Sequence, residues 1–145
     1  MDLTDRQRDL LKALGYVVPG NVYKVHHKIL GFGHEDSPWH FTTNISEYLE
    51  NIEAVTVIPV STKRYNKNIV PLNLSKDSNL APLEDENLDL ESYAVIGKPK
   101  QIRIQQLFDQ PATHFRGALH PSKKEEVLAA RKKYLKMQFE KRGGR

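Results

Sequence analysis

A chain of 145 residues with 22 Lys and Arg against 18 Asp and Glu, and a formal net charge of +4, has the size of one ordinary domain with a modest core. It has no cysteine, which excludes disulfide scaffolds, thiol catalysis and Cys-based zinc sites. No apolar run approaches the length of a membrane helix, and the opening MDLTDRQRDLLKAL has early acids and no apolar core of signal type, so the expectation is a cytoplasmic protein with no membrane segment.

Residues 1–18 predict a short helical extension. Thr4 can cap it, Gln7 stands at capping-box spacing, Leu10, Leu11 and Leu14 share a face, and Gly15 supplies the stop. Pro19-Gly20 marks a turn. From Asn21 the strand formers Val22, Tyr23, Val25, Ile29 and Leu30 predict a first strand, which Gly31-Phe32-Gly33 breaks. Pro38 to Ile45 predicts a second strand, with Trp39, Phe41 and Thr43 on one face and His40 and Thr42 on the other; Trp39 reads as core. The run AVTVIPV, Ala54 to Val60, is the best strand in the chain, and its Pro59 argues for a strand end, an edge or a bulge. Ile69 to Leu74 predicts a fourth strand, and the acidic stretch 75–91 a long loop. Tyr93 to Ile96 and Gln101 to Ile104 predict two more strands, and 105–121 a mixed connection. Ser122, with Glu125 three residues on, predicts the cap of a final helix whose apolar stripe is Val127, Leu128, Tyr134, Leu135 and Phe139; residues 141–145 read as a frayed tail.

Helix, about six short strands and helix give an α+β chain that is mainly β, with one domain over 19–140. The strands follow one another too closely for parallel crossovers, so the expected sheet is antiparallel and curls into a small barrel.

The chemistry concentrates around GFGHEDSPWH. His34, Glu35, Asp36 and His40 are acid/base groups near a strand start. A helical metal motif is excluded, because His34 and His40 are six apart with Pro38 between them; His26-His27 nearby leaves a loose cluster of the kind that is usually structural. The glycines lack the Lys-Ser/Thr and the following helix of a phosphate loop, and no nucleophile-elbow sequence surrounds Ser61 or Thr62. Cofactor-free phosphodiester cleavage suits the residues better. RNA brings its own nucleophile, the 2′-hydroxyl, and needs a base, an acid and a cation at phosphorus. His34, Asp36 and His40 can serve as acid or base, Arg64, Lys63 or Arg103 as the cation, and Ser61 and Thr62 as donors to a phosphoryl oxygen. The Lys- and Arg-rich C-terminal segment reads as a solvated helix face.

The segments GNVYKV, GFGHEDSPWHFTTNI, AVTVIPVSTKR and SYAVIGKPKQIRIQQL, in that order and followed by a helix, resemble the MazF/PemK (Kid) toxins of bacterial toxin–antitoxin systems, over Gly20 to about Leu135. The resemblance implies an SH3-like barrel, a homodimer, cleavage of single-stranded RNA without metal or cofactor, and neutralisation by an antitoxin protein. Ser61 matches the family's catalytic Thr/Ser position, Gln101 and Arg103 match its Gln-Ile-Arg segment, and Pro38 matches the proline that begins its second strand. The expected catalytic set is therefore His34, Asp36, Ser61 and Arg64, and the expected RNA-binding set His40, Thr62, Lys63, Gln101 and Arg103. The chain departs from the pattern at Ser37, where the family carries an arginine. Serine cannot stabilise a phosphorane as a guanidinium does. The alternative expectation is a non-catalytic barrel that binds RNA or a protein partner.

Overall fold

The computed structural model describes residues 18–31, 38–46, 54–64, 68–84, 86–103 and 113–142. The helix expected over 1–18 lies outside the described residues except for Val18, and so do positions 143–145 of the expected tail.

Seven strands form one antiparallel sheet: β1 (Asn21–His26), β2 (Trp39–Asn44), β3 (Ala54–Ser61), β4 (Ile69–Leu72), β5 (Ser92–Val95), β6 (Lys100–Arg103) and β7 (Thr113–Ala118). The order is β4-β5-β3-β2-β1-β7, and β6 also pairs with β3. Among the described residues no ladder joins the outer strands β4 and β7, so the sheet is not closed into a barrel. A single bridge, Ser78 to Leu119, links the chain beyond β4 to the chain beyond β7. Three helical segments complete the described chain: α1 (His27–Leu30), α2 (Leu74–Asp77) and α3 (Pro121–Lys141). None of them is long and apolar enough to cross a membrane.

Alternation along the strands places apolar residues on both faces of the sheet. Val22, Ile58, Val60, Ala94 and Leu119 face one cluster, which Leu74, Leu80, Leu88 and Val127 cover from outside the sheet. Tyr23, Val25, Val55, Val57 and Ile102 face the other, which Leu30 covers. β3 contributes to both, which is why its sequence is a near-continuous apolar run.

The structure corrects several expectations. The first strand ends at His26, not Leu30: His26 Nδ1 accepts the Lys28 N–H at 3.2 Å and starts the one-turn α1, which Gly31 stops in the left-handed conformation. Pro59 lies inside the central strand. Its place there is a gap in the ladders: β6 leaves β3 at Val57 and β5 joins it at Val60, so no partner strand on that side needs the missing N–H. The acidic stretch is not one long loop. It begins with α2, where Asn73 Oδ1 accepts the Lys76 N–H and Asp77 Oδ2 accepts the Asn73 N–H, and it is pinned by buried Leu80 and Leu88. The mixed connection contains a seventh strand, β7, which pairs along β1. The last helix starts at Pro121 rather than after a Ser122 cap. Proline suits the first turn, where its absent N–H would have had no helical partner. Of its expected stripe only Val127 is fully buried; Leu128 and Tyr134 pack against the core, whereas Leu135 and Phe139 are exposed.

Candidate functional site

Two of the four expected catalytic residues, His34 and Asp36, lie outside the described residues, as do Glu35 and Ser37. The other expected residues fall into two groups. Phe41 and Val60 are the last pair of the β2–β3 ladder at this end, and His40 and Ser61 are the residues just beyond them. The start of β2 and the end of β3 thus meet at one end of the sheet, with Thr62, Lys63 and Arg64 following directly and exposed. Ser61 is half-buried, and its Oγ accepts the Lys63 N–H at 3.0 Å in a tight local turn. Gln101 and Arg103 are exposed on β6 but lie towards the other end, opposite Thr56 and Ala54. Those positions are roughly 17 and 23 Å of strand away from Ser61. Strand alternation also projects them from the opposite face.

His40 stands across from Val25, and its Nε2 is buried. Burial lowers its pKa below the ordinary histidine value, and the charge of His27 lowers it further, so the ring is neutral at pH 7. A neutral imidazole can accept a proton, but this one offers solvent little of Nε2.

Sequence reasoning missed the larger feature at this end. β7 runs beside β1 and brings His114 opposite Lys24, while β2 brings Trp39 opposite His26. Trp39, expected in the core, is only half-buried. It is the centre of a ring cluster, edge-on to His26 and tilted against His114, each with centroids 5.1 Å away. Lys24, Trp39, Leu83, His114, Phe115 and Arg116 line a cleft of about 420 Å³.

A β-bulge places the arginine. Val22 pairs with Gly117 and Tyr23 with Phe115, so Arg116 is the extra residue of β7, with no counterpart on β1. Bulges of this kind re-aim a side chain. Here the guanidinium lies 5.7 Å from the Phe41 ring centroid and pairs with Glu86; its other nitrogen donates to the Ala81 carbonyl at 2.7 Å. Lys24 Nζ reaches the same Glu86 oxygen at 2.9 Å and sits 5.4 Å from the Phe41 centroid. The Leu83 N–H donates to the other Glu86 oxygen at 3.0 Å. The sequence carried no clear signal for this site, because His114, Arg116 and Gly117 interrupt any apolar alternation in THFRGA. Nothing distinguished Glu86 from its acidic neighbours.

Burial of Glu86 on its own would raise its pKa. The hydrogen bonds from Arg116, Lys24 and the Leu83 N–H, with the charge of Arg116, outweigh burial and hold the carboxyl at about 2 against an ordinary 4.5. A depressed carboxylate stabilises the fold above its unfolded pKa and loses that contribution as pH falls through the folded value. The expected result is a loss on the order of 3 kcal/mol between pH 4.5 and 2, read as the difference in unfolding free energy between wild type and Glu86→Gln. A wild-type advantage that stays constant from pH 5 to pH 2 would contradict it.

Among the described residues no three His, Asp or Glu side chains are grouped as metal ligands. The arrangement can stack a planar ring against Trp39 and His114, bind an anion at Lys24 and Arg116, and meet a polyanion with Lys63 and Arg64. No protein-family model matches the chain, and no curated protein matches it.

Proposed function

We propose that this protein is a toxin-like endoribonuclease of MazF/PemK type, which cleaves single-stranded RNA with the RNA's own 2′-hydroxyl as nucleophile and is neutralised by an antitoxin. The observation that carries the proposal is the meeting of β2's start with β3's end. It brings His40 and Ser61 to the same end of the sheet, each one residue beyond the last β2–β3 pair, with Thr62, Lys63 and Arg64 exposed beside them. Of these, Ser61 is the position that the resemblance matches to the family's catalytic Thr/Ser; the others are the acid/base, donor and cation candidates that the sequence supplies beside it. Arg64 or Lys63 takes the part of the arginine that Ser37 replaces, and stabilises charge at phosphorus. The open antiparallel sheet, bridged from Ser78 to Leu119, is then the larger part of an SH3-like barrel, and the protein acts as a homodimer.

A second reading, a non-catalytic RNA-binding module, has its own observations. The Ser61 hydroxyl is engaged by the Lys63 N–H, and His40 Nε2 is buried. Incubating the purified protein with a long single-stranded RNA in EDTA, followed by end-mapping, separates the two. Discrete cuts are expected. RNA retained on the protein but left intact would favour the module, and RNA neither bound nor cut would sink both.

A further inference from the structure

Glu86 occupies the position an anionic ligand would take. It is a carboxylate on the segment that follows α2, held by Lys24 and by the bulged Arg116, two residues that line the cleft together with Trp39 and His114. Its side chain is 5% exposed and that of Arg116 9%, whereas Lys24 keeps 26%. Buried Leu80 and Leu88 pin the segment on either side; between them its contacts to the two cations are polar, with the Ala81 carbonyl and the Glu86 carboxylate on Arg116 and the Glu86 carboxylate on Lys24, while Leu83 remains exposed. A structural staple in this place would be served by an apolar side chain against Phe41. A carboxylate between two cations is exchangeable for another anion of similar geometry, such as a phosphate, which makes the same charge-assisted hydrogen bonds with more oxygens.

We propose that Lys24 and Arg116 form a phosphate-binding site, and that Glu86 is its internal occupant, displaced when a phosphodiester enters the cleft. The assignment of that phosphate to RNA rests on the function proposed above; the site itself does not. With Glu86 in place, the net charge of the two cations is halved and their donors face the carboxylate rather than a ligand. With it displaced, they hold a backbone phosphate while a neighbouring base stacks on Trp39 or His114. The acidic segment thereby sets a threshold that weak or nonspecific polyanions do not pass.

The test compares wild type with Glu86→Gln, which keeps the shape and the acceptor oxygen but removes the charge. The probes are a fluorescently labelled 12-nucleotide single-stranded RNA of mixed sequence and inorganic tripolyphosphate. Glu86→Gln is expected to bind both at least tenfold more tightly, with the slope of log K against log salt steeper for RNA by about 0.7 for one additional phosphate. Adding Lys24→Ala is expected to abolish the gain. A gain for tripolyphosphate with no RNA binding by either protein supports the site and refutes the RNA reading. Wild-type binding of RNA with no gain for either probe in Glu86→Gln overturns the site and leaves the RNA reading standing. Binding of neither probe overturns both. If Glu86→Gln does not fold, hydrogen exchange of the wild type decides: the Leu83 amide, bonded to Glu86, is expected to lose protection on addition of either probe, and unchanged or increased protection overturns the proposal.

Discussion

Gly117→Ala is expected to lower the unfolding free energy by about 4 kcal/mol, the sum of backbone strain and overpacking. Gly117 has φ +155, a conformation that side chains rarely adopt. A Cβ there would stand 2.5 Å from Asn79 Oδ1 and 2.9 Å from Leu80 Cδ1. Neither neighbour can yield cheaply. Asn79 Oδ1 accepts the Ala118 N–H at 2.9 Å, and Leu80 is a buried member of the larger core cluster. Relief would have to move β7 away from the segment after α2, and with it the bulge that aims Arg116. The effect should therefore spread: besides a lower urea midpoint, the ring packing of Trp39 against His114 should loosen, seen as a shift in the fluorescence of the single tryptophan. Gly97→Ala is the control, because the nearest atoms to its Cβ lie at 3.7 Å, which is ordinary contact. Equal midpoints for the two variants would mean that the bulge tolerates a side chain and that the geometry at Gly117 is misread.

The same glycine explains what could be read from the sequence and what could not. β3 was plain because AVTVIPV is β-branched and buried on both faces, so local propensity and tertiary burial agree. β2, β4, β5 and β6 were legible to within a residue or two for similar reasons. β7 was not. His114, Arg116 and Gly117 break the apolar pattern, and its stability comes from pairing with β1, a partner about ninety residues earlier in the chain, as well as from an ion pair with Glu86. The first strand was drawn too long because Ile29 and Leu30 are good strand formers. In the fold they serve one helical turn, whose Leu30 is buried in the same cluster as β6's Ile102 and β3's Val55. The candidate site divides along the same line. Ser61, Thr62, Lys63 and Arg64 are adjacent in sequence and could be read as one group. The cleft draws Lys24, Trp39 and Arg116 from three separate strands that only register assembles, and Glu86 reaches its two cations from the segment after α2.

On the proposed endoribonuclease function, Lys63→Ala/Arg64→Ala is expected to slow RNA cleavage by about 100-fold while leaving the fold intact. Both side chains are exposed at the end of β3, so their removal opens no cavity. The turn that carries them is set by the Ser61 Oγ and the Lys63 backbone N–H, which the substitutions retain. What is lost is positive charge beside Ser61. During in-line attack by the 2′-hydroxyl, negative charge on the phosphoryl oxygens increases, so a cation there stabilises the transition state more than the bound substrate. The loss should therefore appear chiefly in kcat. A rise in KM with unchanged kcat would make Lys63 and Arg64 ordinary phosphate contacts and would place the catalytic cation elsewhere. Salt separates the same alternatives. Each lost phosphate contact reduces the slope of log K against log salt by about 0.7 for a single strand, whereas a residue acting only in the transition state leaves that slope nearly unchanged. A large fall in kcat with little change in the binding slope would assign the chemistry to this end of the sheet. Full activity in the double variant would remove Lys63 and Arg64 from the proposed mechanism.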